Sequence, residues 1–179
     1  MNIIVIVLAI LIGVFVLLAL FAPKIYRVNR QIVINKPKPV VFEYIRSLKN
    51  QNKWSVWSSM DPGVVNTYAG TDGQVGFISA WEGNKDVGQG EQEIMKVTDG
   101  SRIDLELRFI KPFKSTAQVY LSTTEVDATQ TQVEWGMQGN SPFPMNLFIL
   151  FANMEKAIGK DFEKGLGNLK AILEQEIKA

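Results

Sequence analysis

Any chemistry in this chain proceeds without imidazole or thiolate. The 179 residues include no histidine and no cysteine. That removes the proton shuttle that titrates near neutral pH, the thiolate nucleophile, the disulfide and the cysteine/histidine metal site. Acid–base work would fall to carboxylates, lysine or tyrosine. The charged stretch that could pass for a catalytic cluster is "RIDLELRF", residues 102–109, where Arg102, Asp104, Glu106 and Arg108 alternate with Ile103, Leu105, Leu107 and Phe109. Charge at every second residue marks a strand with one wet face, so these four read as a solvated surface with cross-strand pairs. The faces expected to point inward offer mainly Ser79, Thr123 and Tyr68 as polar groups, and the acidic residues fall largely outward. No catalytic residue, metal ligand or cofactor is assigned. Gly70, Gly73, Gly76, Gly83, Gly88 and Gly90 read as turn and bulge devices, because no Gly-Lys-Ser/Thr follows to make a phosphate loop. A net charge of +1, without aromatics interleaved among basic runs, gives no sign of a nucleic-acid partner.

The elements that position these residues follow from periodicity. "YRVNRQIVIN" places Tyr26, Val28, Ile32 and Ile34 on one face of a strand. Prolines in "KPKPVVFEYIRSL" open a helix carrying Val40, Val41, Tyr44, Ile45 and Leu48 at helical spacing. From about Val64 to Gln138 the chain is strand-like. Ala117, Val119 and Leu121 point inward on one strand, and Val133, Trp135 and Met137 on another. A helix is expected over about 145–177, with Leu147, Phe151, Met154, Ile158, Phe162, Leu166, Leu169, Leu173 and Ile177 on its apolar face. Gly159, Gly165 and Gly167 would mark a kink or places where side chains are withheld. Strand, helix, strand meander and long helix together predict an α+β fold, a curved antiparallel sheet gripping one long helix.

Ile3 to Ala22 form a run of twenty residues with no charge and no polar side chain. About 20 residues is the length that crosses a hydrocarbon core as a helix. A cleaved signal fits less well, since only Met1 and Asn2 precede the run and Ala19 and Ala22 lack the small-x-small spacing. The expected division is an anchor over 1–23 and one domain over 24–179.

Several segments, in order, resemble a known family. They are Trp54 and Trp57 followed by Asp61-Pro62, then "YAG" (68–70), "VGFISAWEGN" (75–84) and "VGQGEQEI" (87–94). "LRFIKPF" (107–113), "TQVEWGMQG" (131–139) and "GKDFEKGLGNLK" (159–170) follow. From about Tyr26 onward the chain is similar to the START-like helix-grip, or SRPBCC, superfamily, within it the polyketide cyclase/dehydrase and lipid transport proteins. The anchor lies outside that domain. One departure is that Ser55 and Val56 stand between the tryptophans where such sequences often have proline, leaving the loop less rigid. The resemblance implies a deep cavity between sheet and long helix that takes lipids, polyketides or other bulky apolar ligands.

Trp54 reads as a plug between the short helix and the sheet rim, and Trp57 either as a second plug or as a lip of the cavity. Phe77 and Trp81 share one strand face with Val75, and Trp135 and Met137 share another. With Phe109, Met154, Trp57 and Tyr68 they form the expected lining as a group, although a single aromatic at period two reads first as core. The expected function is a membrane-anchored binding module for a hydrophobic small molecule or lipid. A polyketide cyclase/dehydrase-like enzyme and a ligand-free interaction domain are the alternatives. Expected partners are that ligand and, through the N-terminal helix, the membrane. Lys24, Arg27, Arg30, Lys36 and Lys38 follow the apolar run before the first acidic residue, Glu43, whereas only the α-amino group precedes it. The positive-inside rule then predicts a single-pass protein with its domain cytoplasmic.

Overall fold

The computed structural model of the protein describes residues 2–143, 146–147 and 154–175. Helix α1 (Ile3–Phe21) precedes strand β1 (Ile25–Ile34), and two short helices follow, α2 (Lys38–Arg46) and α3 (Leu48–Trp54). Strands β2 (Val65–Ala69), β3 (Ile78–Glu82), β4 (Gln89–Thr98), β5 (Arg102–Lys111), β6 (Ser115–Asp127) and β7 (Gln130–Asn140) come next, then helix α4 (Met154–Gln175). The sheet has seven strands in the order β1-β7-β6-β5-β4-β3-β2. Each pairing is antiparallel, so β2 to β7 form a meander and β1 closes onto its last strand. Register shifts at Gln89/Gly90 and at Ile94/Lys96 bend β4, as bulges do in a curling sheet.

The helix expected after β1 is two helices. Ser47 leaves the helical conformation and caps α3 instead, its Oγ accepting from the Asn50 amide at 3.2 Å. Asp72 fastens the same corner, accepting from Ser47 Oγ at 2.5 Å and from the Leu48 amide at 2.9 Å. Val41, Phe42 and Ile45 are the buried face of α2, whereas Val40 is exposed. The face therefore turns one residue further than the sequence pattern suggested.

Helix α4 lies along β1. Arg30 Nη1 meets Glu155 at 2.7 Å and its Nε meets Glu163 at 2.5 Å. Further along, Lys170 Nζ donates to the Val33 carbonyl and the Asn35 amide donates to Glu174. Phe162, Leu166, Leu169 and Leu173 are buried on α4, while Phe151 and Ile177 lie outside the described residues. Leu147 does not join this face; it packs with Ala19 and Ala22 at the end of α1. There the buried Asn146 donates from Nδ2 to the Ala19 and Ala22 carbonyls at 2.6 and 3.1 Å, satisfying acceptors that the end of a helix leaves free. Apart from Ala19, the side chains of α1 are exposed, and among the described residues α1 is the one helix long and apolar enough to cross a membrane.

The core is solid at the end of the sheet away from α1. Ile34, Ile94, Ile103, Leu105, Leu121 and Val133 are fully buried there, in one cluster with Leu166, Leu169 and Leu173. Gly165 is the point of closest approach. A Cβ on it would lie 3.0 Å from Trp135 Cζ3 and 3.6 Å from Trp54 Cε3, so the missing side chain is the seat of two indoles. A Cβ on Gly159 would run into the Arg30 guanidinium, whereas nothing stands within 4 Å of one on Gly167. Truncating the fully buried Trp54 to alanine should lower the unfolding free energy by about 3–5 kcal/mol in denaturant titrations. A loss below about 1 kcal/mol, usual for a surface change, would contradict this packing.

Candidate functional site

The other half of the sheet does not close on α4. Between them is a cavity of about 430 Å³, within the range of small-molecule sites. Its floor follows the sheet register: Ser79 pairs with Gln92, Gln92 with Leu107, Leu107 with Ala117, and Ala117 with Gly139, which lies opposite Tyr26. Met154, Ile158 and Phe162, from the first half of α4, form the roof.

Aromatic rings supply most of the wall. Trp135 stacks on Phe162 with centroids 4.0 Å apart, and Trp54 meets Trp135 edge-on at 4.9 Å. Trp57, at the start of a 3₁₀ turn (Trp57–Ser59), presents its ring edge-on to Trp135 and Phe162 at 5.7 and 5.9 Å. Trp81 lies over Gly90, where a Cβ would come within 2.5 Å of Trp81 Cζ2 and 2.6 Å of the Arg108 carbonyl. Its Nε1 donates to the Val87 carbonyl at 3.3 Å. Asp61 fastens the loop after Trp57, accepting from the amides of Gly63 and Asn84 at 2.9 and 2.7 Å. It thereby ties that loop to the β3–β4 turn beside Trp81.

The polar groups of the lining are mostly neutral. Gln92 Nε2 donates to Gln51 Oε1 at 2.6 Å, and the buried Ser79 and Ser55 lie on the same lining. Among the described residues Lys111 is the one lining residue with a formal charge, and its side chain is largely exposed, 3.5 Å from Glu82. No carboxylate lines the cavity among the described residues, and none of their acidic groups cluster as metal ligands.

Of the eight residues expected at a lining, the cavity brings together Trp57, Trp81, Phe109, Trp135, Met137 and Met154. Phe77 and Tyr68 stand outside it. Phe77 is fully buried and stacks on Tyr68 at 6.0 Å; Tyr68 is exposed and its hydroxyl accepts from Asn52 Nδ2 at 2.9 Å. Val75 is exposed, and Thr123 donates to the Gly100 carbonyl at 3.1 Å without lining the cavity. Trp54 is core, and Trp57 is wall. Sequence reasoning missed Gln51 and Gln92, although each carries a visible signal. Gln92 is a polar residue in the same alternation as Ile94, and Gln51 falls midway between the buried Leu48 and Trp54 on one helix face.

Residues 26–174 match the family model described as polyketide cyclase/dehydrase and lipid transport. No curated protein sequence matches the chain. Norcoclaurine synthase from Thalictrum flavum, solved with dopamine and hydroxybenzaldehyde, aligns with a TM-score of 0.62 at 9% identity, covering 87% of this chain and 89% of that one. A protein from Thermus thermophilus aligns with a TM-score of 0.62 at 12% identity, covering 86% and 100%. A protein from Nitrosospira multiformis aligns with a TM-score of 0.56 at 18% identity, covering 82% and 94%. At such identities the likeness shows the fold, an α+β helix-grip architecture.

Burial pushes the Tyr26 phenol above the ordinary tyrosine value of 10.0, because desolvation disfavours the phenolate. Its neutral form is thus favoured in the folded state. Its contribution to stability is complete below pH 10.0 and is lost as pH rises from there through the folded pKa. In a spectroscopic phenolate titration, Tyr26→Phe should remove one late-ionising group, and an apolar ligand in the cavity should delay ionisation in the unsubstituted protein. Superimposable titrations of the two proteins would contradict this placement of Tyr26.

Proposed function

The chain belongs to the polyketide cyclase/dehydrase and lipid transport family, and on that premise we propose that it is a membrane-tethered binding module for an apolar ligand. The cavity carries this reading. Its lining is dominated by rings, thioethers and aliphatic side chains; its neutral polar groups are the Gln51–Gln92 pair, Asn52, Asn66 and the serines Ser55, Ser58, Ser79 and Ser115; and among the described residues its one charge stands on an exposed side chain. A carboxylate or ammonium buried at the floor would have no counter-charge there, a large desolvation cost. The ligand class that fits is a lipid or other bulky apolar molecule whose polar part is uncharged and hydrogen-bonds to Gln51, Gln92 or Ser79. The proposed ligand-binding residues are the six expected ones that line the cavity, joined by Tyr26, Gln51 and Gln92.

Helix α1, with 19 residues, is about 29 Å long at 1.5 Å per residue, which matches a hydrocarbon core of about 30 Å. We read residues 1–23 as a single-pass anchor and 24–179 as the binding domain. Lys24 and Arg27 follow the span directly, and basic residues of this kind favour the cytoplasmic side, so we read the domain as cytoplasmic. Protease added to spheroplasts should spare the domain until lysis; digestion of intact spheroplasts would reverse this orientation.

An environment-sensitive apolar dye should bind the full-length protein saturably. If the dye covers about 50 Å² of the Trp81 ring, Trp81→Ala should weaken binding roughly tenfold. A linear, unsaturable signal that is identical in the variant would overturn the cavity as a binding site.

A further inference from the structure

We infer that the rim of the cavity docks on the same bilayer that holds α1, so that the ligand passes between membrane and cavity without crossing water. This rests on the anchor and cavity readings above and adds where the cavity opens. The sheet register decides which end of the domain faces the membrane. Only Ala22, Pro23 and Lys24 separate α1 from β1, a reach of about 14 Å at most. Strand β1 starts with Ile25 opposite Asn140, the last residue of β7. Carried across the sheet, this end holds Ser115 and Phe109, then Lys111 and Gln89, then Glu82 and Val65. The β5–β6 turn, the β3–β4 turn and the Asp61 loop therefore share the end from which α1 leaves. Asn146, bonded to the Ala19 and Ala22 carbonyls, fixes the last turn of α1 against the chain that follows β7.

The cavity occupies this half of the sheet, since the far half is the solid core around Ile34, Ile103, Leu121 and Val133. Among the described residues its exposed lining residues are Lys111, Pro112, Phe113 and Ser115, all on or beside the β5–β6 turn. The open side thus faces α1. Phe113 is 70% exposed at the tip, and Lys111 and Lys114 flank it. An exposed ring between lysines suits the headgroup boundary, where the ring enters and the ammonium groups stay at the surface. Charge alone does not choose this end, since Glu82 and Asp86 also lie here and Lys36 and Lys38 lie at the other. The short linker and the exposed ring choose it. The turns at the far end are 70–77, 99–101 and 128–129; they carry Asp72 and Asp99, and their one aromatic residue, Phe77, is buried in the core.

The absence of cysteine permits a direct test. Full-length single-cysteine variants Leu11→Cys, Phe113→Cys and Thr129→Cys would be labelled with an environment-sensitive fluorophore in phosphatidylcholine/phosphatidylglycerol nanodiscs. Each would then be exposed to aqueous iodide and, separately, to a spin-labelled lipid. The label at 113 should lose iodide quenching and be quenched by the lipid, as at 11, while 129 should show the reverse. If 11 behaves as membrane-embedded but 113 responds like 129, or is shielded from both quenchers, the docking is wrong and the anchor stands. If 11 is as open to iodide as 129, the anchor reading falls and the docking with it.

Discussion

The fold turns on Trp135. Its indole stacks on Phe162 of the long helix, and the edges of Trp54 and Trp57 close on it from α3 and from the turn that follows. The glycine at 165 lets helix and sheet approach closely enough for this contact. On the side away from α1 the contact continues into a solid aliphatic core; on the near side it is the back wall of a cavity. One aromatic cluster thus separates the half of the domain that supplies stability from the half left open. Fully desolvated rings of this size contribute more to packing than any aliphatic neighbour, so the cluster can hold the sheet curved while the space beside it stays open.

Apart from the Arg30 pairs with α4, the strongest ionic contacts of the sheet lie on its other face. Arg108 reaches Glu91, Glu93 and Glu106 at 2.7 to 2.8 Å. Tyr120 donates to Glu134 at 2.5 Å, with Arg102 over its ring. Partial burial, reinforced by Glu134, pushes the Tyr120 phenol up to about 12, while hydrogen bonds from Tyr120 and Asn29 hold the Glu134 carboxyl below its ordinary range. These groups stabilise one another on a surface of intermediate exposure. The interior of the cavity keeps neutral amides and hydroxyls, groups whose burial costs far less than that of a charge. The charged alternation at residues 102–109, which first invites a catalytic reading, is the outer half of this arrangement.

The sheet was legible because period-two alternation is a backbone property: Ile103, Leu105, Val119, Leu121, Val133 and Trp135 face inward as their spacing requires. The long helix was legible for the same reason at period 3.6. The break at Ser47 was harder to see, because it depends on Asp72, whose partner in the corner is distant in sequence. The site was half legible. Alternation identifies Trp81, Phe109 and Met137 as inward-facing, but it cannot tell a ring that closes on the core from one that borders space. Phe77 shares the face of Trp81 and is core; Gly90 leaves room for Trp81 beside the cavity. That distinction arises from how far sheet and helix separate, which no local pattern encodes. The glutamine pair was overlooked because each amide, taken alone, reads as an ordinary polar residue.

The central claim is that the space between β-sheet and α4 is kept for an apolar occupant. Native mass spectrometry of the full-length protein, released from lipid nanodiscs, tests it most directly when paired with Leu107→Trp, a substitution that fills the cavity from its floor. The account predicts a stoichiometric apolar adduct on the unsubstituted protein and its loss from the folded variant. A bare mass for the unsubstituted protein, or an adduct that Leu107→Trp leaves unchanged, would contradict it.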